Sequence, residues 1–138
     1  MQELYSQLQG VVERVIKLLP QSYDYNETHY QKVLAHELRK CDAFSSFEIS
    51  QEVVIPYHLS DGFVFGYGRA DLILLDHMAN SCIIIELKAS VGIKFNQMEK
   101  YRAQLRKYMR HYHTRFRKKG VLIVFNPCLS KLTHKIVL

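Results

Sequence analysis

Apolar residues recur every three to four positions in two stretches near the start of the chain. Residues 3–19 place leucines and valines at helical spacing, and Pro20 is expected to end that helix. Residues 27–41 show the same spacing, with Asn26 as the expected N-cap. The pattern therefore predicts two amphipathic helices, and we interpret the first as a helical extension over residues 1–20.

Short apolar or alternating runs follow through the rest of the chain, and such runs predict β-strands. Residues 46–58 are predicted to form one strand or two short ones. The other predicted strands are residues 63–68, 72–75, 82–85, 121–126 and, at the edge, 132–138. A long helix is predicted at 96–118, because its apolar residues return at helical spacing. The order α-α-β-β-β-β-α-β predicts an α/β fold of the mixed-sheet (α+β) type, with helices against one sheet and a single domain over residues 1–138.

The two central strands are joined by a turn-like segment and form a predicted β-hairpin. If Asp76 faces Ser81 across the turn, the same register places Asp71 opposite Glu86. Lys88 shares the face of Glu86, because side chains along a strand repeat every two residues. Two facing carboxylates repel each other, so the pair needs positive charge nearby. The prediction depends on the register, since a one-residue slip would move Asp71 to the other face.

This group of two acids and an amine predicts a Mg²⁺ site for phosphodiester hydrolysis. Mg²⁺ usually binds one or two carboxylates together with phosphate oxygens and waters. Asp71 and Glu86 would supply the carboxylates, and Lys88 would stabilise negative charge that develops at the phosphate. Glu37 lies within the apolar stripe of the second helix, so it either completes the metal shell or reaches water at the edge of the stripe.

Charge is unevenly divided along the 138 residues, whose net charge is +6. Residues 1–93 hold 7 Lys and Arg against 12 Asp and Glu, whereas residues 94–138 hold 12 Lys and Arg against one acid, Glu99. A basic C-terminal third beside an acidic group favours nucleic acid as the partner, with metal cations between the acidic side chains and the phosphates. The basic residues expected to contact it are Arg69, Lys94, Lys100, Arg102, Arg106, Lys107 and Arg110.

Signals for membrane insertion or secretion are not seen in the sequence. No apolar run approaches the roughly 18 residues needed to span a membrane, and the N-terminus lacks the basic and apolar regions of a signal peptide. The three cysteines, Cys41, Cys82 and Cys128, are widely spaced and form no disulfide or zinc motif. We therefore expect no membrane partner and an intracellular, reducing compartment, either cytoplasm or nucleus.

The hairpin motif resembles the D…ExK core of the PD-(D/E)xK, or restriction-endonuclease-like, nuclease superfamily. Asp71 is followed, after a hairpin-length gap, by Glu86-Leu87-Lys88. A longer series within residues 24–126 is similar in order and spacing to the GxxExxY proteins, a small branch of that superfamily. Its segments are Glu27-Thr28-His29-Tyr30-Gln31, Glu37-Leu38, Arg69-Ala70-Asp71-Leu72, Ile85-Glu86-Leu87-Lys88-Ala89, Gln104-Leu105-Arg106-Lys107-Tyr108 and Ile123-Val124-Phe125-Asn126. The chain departs from the pattern at Asp24, where the branch has glycine, and at Ala70, where the superfamily motif has proline.

The resemblance implies a restriction-endonuclease-like core and a role for each matching residue. By it, Asp71 and Glu86 are metal ligands, Glu37 is the helix-borne acid of the metal site, Lys88 is the catalytic lysine and Gln104 is a polar residue that supports the site. It implies Mg²⁺ as the cofactor, with Mn²⁺ able to substitute, and DNA rather than RNA as the favoured substrate. A homodimer is a further expectation, with the first helix, outside the match, as a candidate contact.

Two other classes of function stay open from the sequence. A non-catalytic nucleic-acid-binding module would keep the basic surface, although it has no need of clustered acids beside phosphate. A protein-interaction module would present the basic helix to an acidic partner, and such a helix also suits a membrane surface or calmodulin. The salt dependence of binding separates nucleic acid from the other partners, and substitution of Glu86 separates catalysis from binding.

Overall fold

A computed structural model of the chain describes residues 2–19, 25–90, 92–126 and 131–137. Within these ranges the helices are α1 (Gln2–Leu18), α2 (Glu27–Lys40) and α3 (Phe95–His111), with a 3-10 turn at Asp42–Phe44. The strands are β1 (Phe47–His58), β2 (Val64–Asp76), β3 (Ser81–Ala89), β4 (Arg117–Asn126) and β5 (Lys131–Val137). None of these helices is long and apolar enough to cross a membrane. Pro20, Asp24 and Cys128, on which sequence predictions fall, lie outside the described residues.

The five strands form one sheet in the order β1-β2-β3-β4-β5. β3 and β4 are parallel, and the other neighbours are antiparallel. α3 lies in the connection between β3 and β4, because parallel neighbours need a crossover. The predicted α/β mixed-sheet fold is therefore confirmed. One detail differs, since the strands predicted at 63–68 and 72–75 are a single strand, β2, so that three strands precede α3 and β5 follows β4.

The helices bury two hydrophobic cores, one on each face of the sheet. The core beneath α1 and α2, called here the α2-side core, takes the sheet residues Leu72, Leu74, Ile83, Ile85, Leu87, Val121, Ile123 and Phe125. The core beneath α3, called the α3-side core, takes Ala70, Ile73, Cys82, Ile84, Leu122 and Val124. α1 contributes Leu8, Val11, Val12 and Val15 to the α2-side core, all fully buried. Its apolar stripe is thus covered within the chain, which removes the reason to assign it to a dimer contact.

The side chains of β1 change faces near the middle of the strand. Phe47 and Ile49 pack against the α2-side core, whereas Val53 and Ile55 pack in the α3-side core. All four positions are odd-numbered, so uninterrupted alternation would place them on one face. Glu52 lies between the two pairs with a φ of 52°, in the left-handed region that non-glycine residues seldom occupy. Glu52 therefore marks a turnover of β1, meaning the point at which its side chains exchange faces, and the sequence pattern does not predict it.

The same turnover involves Asp71, which lies opposite Glu52 on β2. The β1–β2 ladder pairs the residues on either side of these two but omits the Glu52–Asp71 pair itself. Beyond this point the hairpin formed by residues 53–70, called here the distal hairpin, packs its inner face against α3. Asp71 therefore lies where the side chains of β2 change faces, since Ala70 packs in the α3-side core and Leu72 in the α2-side core.

α3 ends at His111, seven residues before the predicted end of the helix at residue 118. The Lys118 ammonium donates to the carbonyl oxygens of Met109 and, at 3.0 Å, of Tyr112, so it caps the last turn from outside the helix. Arg117 pairs with Ser81 at the start of the parallel β3–β4 ladder. The basic residues 117–119 are therefore part of β4, and the prediction that they extend the helix is wrong.

Candidate active site

The β2–β3 hairpin has the register predicted from its turn. Asp76 pairs with Ser81, and the ladder runs to the pair Leu72–Ile85. The Asp76 carboxylate accepts hydrogen bonds from the N–H groups of the two residues 78 and 79, at 3.0 and 3.2 Å, which fixes the turn. The ladder therefore stops one position before Asp71 and Glu86 would face each other.

Asp71 uses its side chain where the ladder ends. Its Oδ2 accepts a hydrogen bond of 2.7 Å from the backbone N–H of Leu87. The Asp71 carboxylate thus accepts the hydrogen bond that a backbone carbonyl of a neighbouring strand would otherwise accept. This contact holds Asp71 beside Glu86, which directly precedes Leu87 in β3. The structure brings the two acids together by this contact rather than by simple cross-strand facing.

Glu86 is a buried acid with poor compensation for its charge. The residue is 3% exposed, and its Oε1 has no hydrogen-bond partner among the described residues. Burial raises the pKa of Glu86 to about 8, and the negative charge of Asp71 adds to the rise. A buried oxygen without a partner, next to a second carboxylate, fits a divalent cation, because the cation would offset the charge of both acids.

Lys88 lies on the same side as Glu86. Its Nζ is 3.5 Å from Glu86 Oε2 and 4.9 Å from the centre of the Tyr101 ring. The positive charge of Lys88 acts to lower the pKa of Glu86, but burial and Asp71 outweigh it. The ring of Tyr101 and the Glu86 carboxylate together hold the amine over the site.

Gln104 reaches the site through Tyr108. Its Nε2 donates to the Tyr108 hydroxyl at 2.7 Å. Burial and the charge of Glu86 raise the pKa of Tyr108 to about 12, so this phenol stays protonated. Gly68 allows the side chains of Tyr57 and Tyr108 to lie against the backbone of β2, because a Cβ at this position would overlap the Tyr57 hydroxyl and the Tyr108 ring. Tyr57 and Tyr108 thus line the side of the site that faces α3.

Glu37 is not brought to these residues. It is 4% exposed, with its carboxylate 3.4 Å from Arg14 Nε and 3.2 Å from Lys40 Nζ. α2 places it toward α1 on the face of the α2-side core, in a cleft that Arg14 and Lys40 also line. The sequence predicts a buried acid that needs a partner, and Arg14 and Lys40 are the partners that the structure shows.

Glu27 is a further acid near the site, and the sequence predictions assign it no role. It lies in the first turn of α2, and its Oε1 accepts a hydrogen bond of 3.3 Å from the N–H of Ala89. Ala89 directly follows Lys88 at the end of β3. The signal available in the sequence was the segment Glu27-Thr28-His29-Tyr30, which is part of the GxxExxY resemblance.

Six of the seven basic residues expected to contact nucleic acid are exposed. They are Arg69, Lys94, Lys100, Arg106, Lys107 and Arg110. Arg102 is half-buried and pairs with Glu99 at 3.0 Å, so its charge is already balanced. Across the described residues no group of three or more His, Cys, Asp and Glu side chains is arranged to hold a metal. Asp71 and Glu86 would thus need water or phosphate oxygens to complete a coordination shell.

The chain folds as a mixed sheet with helices on both faces, and an Asp, a Glu and a Lys lie together at the end of one hairpin. A family model described as the PD-(D/E)XK nuclease superfamily matches residues 2–136, and the chain belongs to that superfamily. The match includes α1, which was expected to lie outside the region of resemblance. A comparison with curated proteins finds no match.

Proposed function

We propose that the chain is a divalent-metal-dependent nuclease that hydrolyses phosphodiester bonds at the site of Asp71, Glu86 and Lys88. Membership of the superfamily supports nuclease activity in general, and such nucleases typically use divalent metals. The observation that carries the assignment is Glu86 Oε1, a buried oxygen without a partner beside a second carboxylate. We infer Mg²⁺ as the natural ion because the available donors are hard oxygens, with Mn²⁺ able to substitute.

Each residue of the site has a distinct task in this proposal. Asp71 and Glu86 would hold the ion, which when bound would neutralise charge and make a nearby water more acidic. Lys88, held beside Glu86 Oε2, would place its positive charge near the attacked phosphate. Gln104 acts through Tyr108 as a positioning residue, since its amide holds the hydroxyl that lies near Glu86.

Glu27 is proposed as a second positioning residue. Its carboxylate holds the N–H of Ala89, immediately after Lys88, and so fixes the end of the strand that carries the amine. Glu37 is left out of the catalytic site, because its carboxylate is paired with Arg14 and Lys40. The exposed cations of α3 and Arg69 would bind the phosphate backbone of the substrate.

The proposal is tested by measuring cleavage and binding on the same variants. Glu86→Gln and Lys88→Ala should lose cleavage of DNA in Mg²⁺ by at least 100-fold, while fluorescence anisotropy in EDTA shows binding within about threefold of the wild type. Glu48→Gln, which neutralises an exposed acid at the far end of the β1–β2 pair, is the matched control and should cut normally. A wild-type protein that binds DNA and RNA but cuts neither in Mg²⁺ or Mn²⁺ would contradict the proposal and favour a binding module.

Other expectations from the sequence stay proposals alongside this one. They are DNA rather than RNA as substrate, a homodimer, one domain over residues 1–138, an intracellular reducing compartment and membership of the GxxExxY branch. Cys82 is fully buried, and burial raises the pKa of its thiol to about 11, so the thiol is suited to a structural role. Light scattering of the full chain tests the dimer.

A further inference from the structure

The turnover of β1 at Glu52 has a counterpart on the facing strand, β2. Gln51 accepts a hydrogen bond of 3.4 Å from a glutamine of α2, whereas Val53 packs in the α3-side core. On β2, Leu72 packs in the α2-side core and Ala70 in the α3-side core. In a regular strand, the two neighbours of any residue point to the same face of the sheet. β1 and β2 therefore exchange their faces together, at one step of their ladder.

The residues at that step are Glu52 and Asp71. The β1–β2 ladder is continuous up to this step and resumes after it, but the pair itself is missing. The register is the same on both sides of the gap, so neither strand carries the extra residue that makes a β-bulge. The exchange of faces therefore comes from the backbone conformation at this step and not from an insertion.

The backbone of Glu52 departs from strand geometry in the way that a turnover needs. Its φ is 52°, in the left-handed region, whereas the φ of a regular antiparallel strand is about −140°. Asn80 is the other non-glycine residue with a positive φ among the described residues, and it lies in the β2–β3 turn, where asparagine suits that conformation. Glu52 lies inside a strand and has no such local reason. Residues that a fold holds in this region are concentrated at functional sites.

The turnover explains how the Asp71 side chain reaches β3. Side chains of a regular strand stand out from the two faces of the sheet, and the backbone N–H groups lie near its plane. Because the two neighbours of Asp71 point to opposite faces, its carboxylate lies between those directions and extends toward the next strand. There Oδ2 accepts the 2.7 Å hydrogen bond from the N–H of Leu87, which holds the acid beside Glu86. A regular β2 would instead direct Asp71 out of one face, away from that N–H.

The side chain of Glu52 is not the source of this effect. It is exposed, and the charges that act on the pKa of Glu86 are those of Asp71 and Lys88. The backbone conformation of Glu52 is therefore the feature that acts on Asp71. A residue that tolerates a positive φ should replace Glu52 and preserve the geometry, whereas a residue that resists a positive φ should not.

We propose that Glu52 is a positioning residue, whose left-handed backbone conformation turns β1 and β2 over and so directs the Asp71 carboxylate toward β3 and Glu86. Its role in cleavage rests on the proposed nuclease function, because Asp71 is a metal ligand in that function. The hydrogen bond from Leu87 to Asp71 belongs to the metal-free chain, so the geometry can be measured without any reaction.

Hydrogen exchange of the Leu87 amide, followed by NMR in EDTA, tests the geometry. Glu52→Thr introduces a β-branched residue, which resists a positive φ. The Leu87 amide should then exchange faster by about tenfold or more, relative to the amide of Ile84 inside the β2–β3 ladder, because its hydrogen bond is lost. Glu52→Gly tolerates the positive φ and should keep the Leu87 amide as protected as in the wild type.

Three further variants serve as controls for the exchange measurement. Glu48→Thr makes the same change at an exposed, regularly paired position of β1 and should leave exchange of Leu87 unchanged. Asp71→Ala removes the acceptor and gives the rate for complete loss of the hydrogen bond. Glu52→Gln removes the charge and should behave as the wild type. If Glu52→Gln loses as much protection as Glu52→Thr, the carboxylate acts rather than the backbone, and the proposal is wrong.

The Mg²⁺ dependence of cleavage tests the consequence for the site. In Glu52→Thr, the Mg²⁺ concentration for half-maximal cleavage should rise by about fivefold or more, because a displaced Asp71 weakens the metal site. The KM for DNA should stay within about twofold of the wild type, since the cations that bind phosphates are unchanged. Glu52→Gly should restore the wild-type Mg²⁺ dependence. A variant that is merely less stable would not change the Mg²⁺ requirement at a temperature where it is folded.

The outcomes separate this proposal from the proposed function. Wild-type exchange of Leu87 in Glu52→Thr, or equal losses in Glu52→Gly and Glu52→Thr, would overturn the positioning role. If Glu52→Thr does not fold, Glu52→Ala replaces it and should show a smaller loss in the same direction, because alanine is unbranched. A wild-type protein that cuts no nucleic acid would contradict the proposed function alone, since exchange of Leu87 still reports the geometry. An active nuclease in which Glu52→Thr alters neither quantity would contradict the positioning role alone.

Discussion

Asp71 Oδ2 accepts a hydrogen bond of 2.7 Å from the backbone N–H of Leu87, at the position where the β2–β3 ladder stops. One oxygen of the Asp71 carboxylate therefore has a structural role. Its hydrogen bond keeps Asp71 next to Glu86 although the two residues are not paired in the ladder. The arrangement separates what Asp71 does for the fold from what its charge does in the site.

The first prediction compares two substitutions of Asp71. Asn keeps an oxygen that can accept from Leu87, whereas Ala leaves that N–H without its partner; both remove the charge that repels Glu86. We expect Asp71→Ala to unfold with a free energy about 1–3 kcal/mol lower than Asp71→Asn in urea without metal. Both variants should lose cleavage. Equal unfolding midpoints for the two variants would show that the hydrogen bond contributes nothing.

The second prediction concerns pH and Glu86. Its pKa is raised from 4.5 to about 8 in the folded protein, so the folded state binds more protons than the unfolded state between those values. The contribution of Glu86 to the stability of the metal-free protein should therefore be fully present below about pH 4.5 and fall as the pH rises to about 8. Glu86→Gln should remove that part of the fall.

Thermal unfolding in EDTA between pH 5 and 8.5 measures this effect. The difference between wild type and Glu86→Gln isolates Glu86 from the histidines that titrate in the same range. Adding Mg²⁺ at pH 8 should raise the wild-type Tm and leave Glu86→Gln nearly unchanged, because binding to the folded state stabilises it. Parallel pH curves for the two proteins would contradict the raised pKa.

The third prediction separates the roles of two tyrosines. Tyr108→Phe removes a hydroxyl that Gln104 binds and that lies near Glu86, so we expect kcat to fall about fivefold, equivalent to about 1 kcal/mol, with little change in KM. Tyr101→Phe keeps the ring that faces Lys88 and should cut normally. A fall in both variants, or a change confined to KM, would argue against a positioning role for the Tyr108 hydroxyl.

The parts of the site that follow from local chemistry could be predicted from the sequence. The turn between Asp76 and Ser81 is fixed by hydrogen bonds from one side chain, so counting outward from it gives the right register as far as Leu72. Lys88 then falls on the face of Glu86 by alternation alone. The same reasoning could not find the turnover at Glu52, because the residues on both sides of it alternate identically in the sequence.

Long-range packing decided the features that were missed. Helical spacing shows that Glu37 lies on the apolar side of its helix. It does not show which face of the sheet that helix covers. Spacing also continues through Phe116, so the pattern extends α3 beyond His111. The end of the helix is set by Lys118, which caps the last turn from outside the helix, and by the pairing of β4 with β3, neither of which helical spacing encodes.

The last prediction tests the position of Glu37. Its buried carboxylate is shared by Arg14 and Lys40, so Glu37→Gln should lower the free energy of unfolding by about 1–2 kcal/mol; the partners are themselves half-exposed, which limits the cost. Cleavage should stay within about twofold of the wild type at a temperature where both proteins are folded. Glu13→Gln, on the exposed face of α1, is the control and should change neither quantity.

Glu27→Ala provides the contrasting case for that experiment. It frees the N–H of Ala89 next to Lys88, so cleavage should fall by about tenfold while unfolding changes by about 1 kcal/mol. If Glu37→Gln instead abolished cleavage with stability unchanged, the acid would act at the metal site despite its ion pairs, and the division of tasks between the two acids of α2 would be reversed.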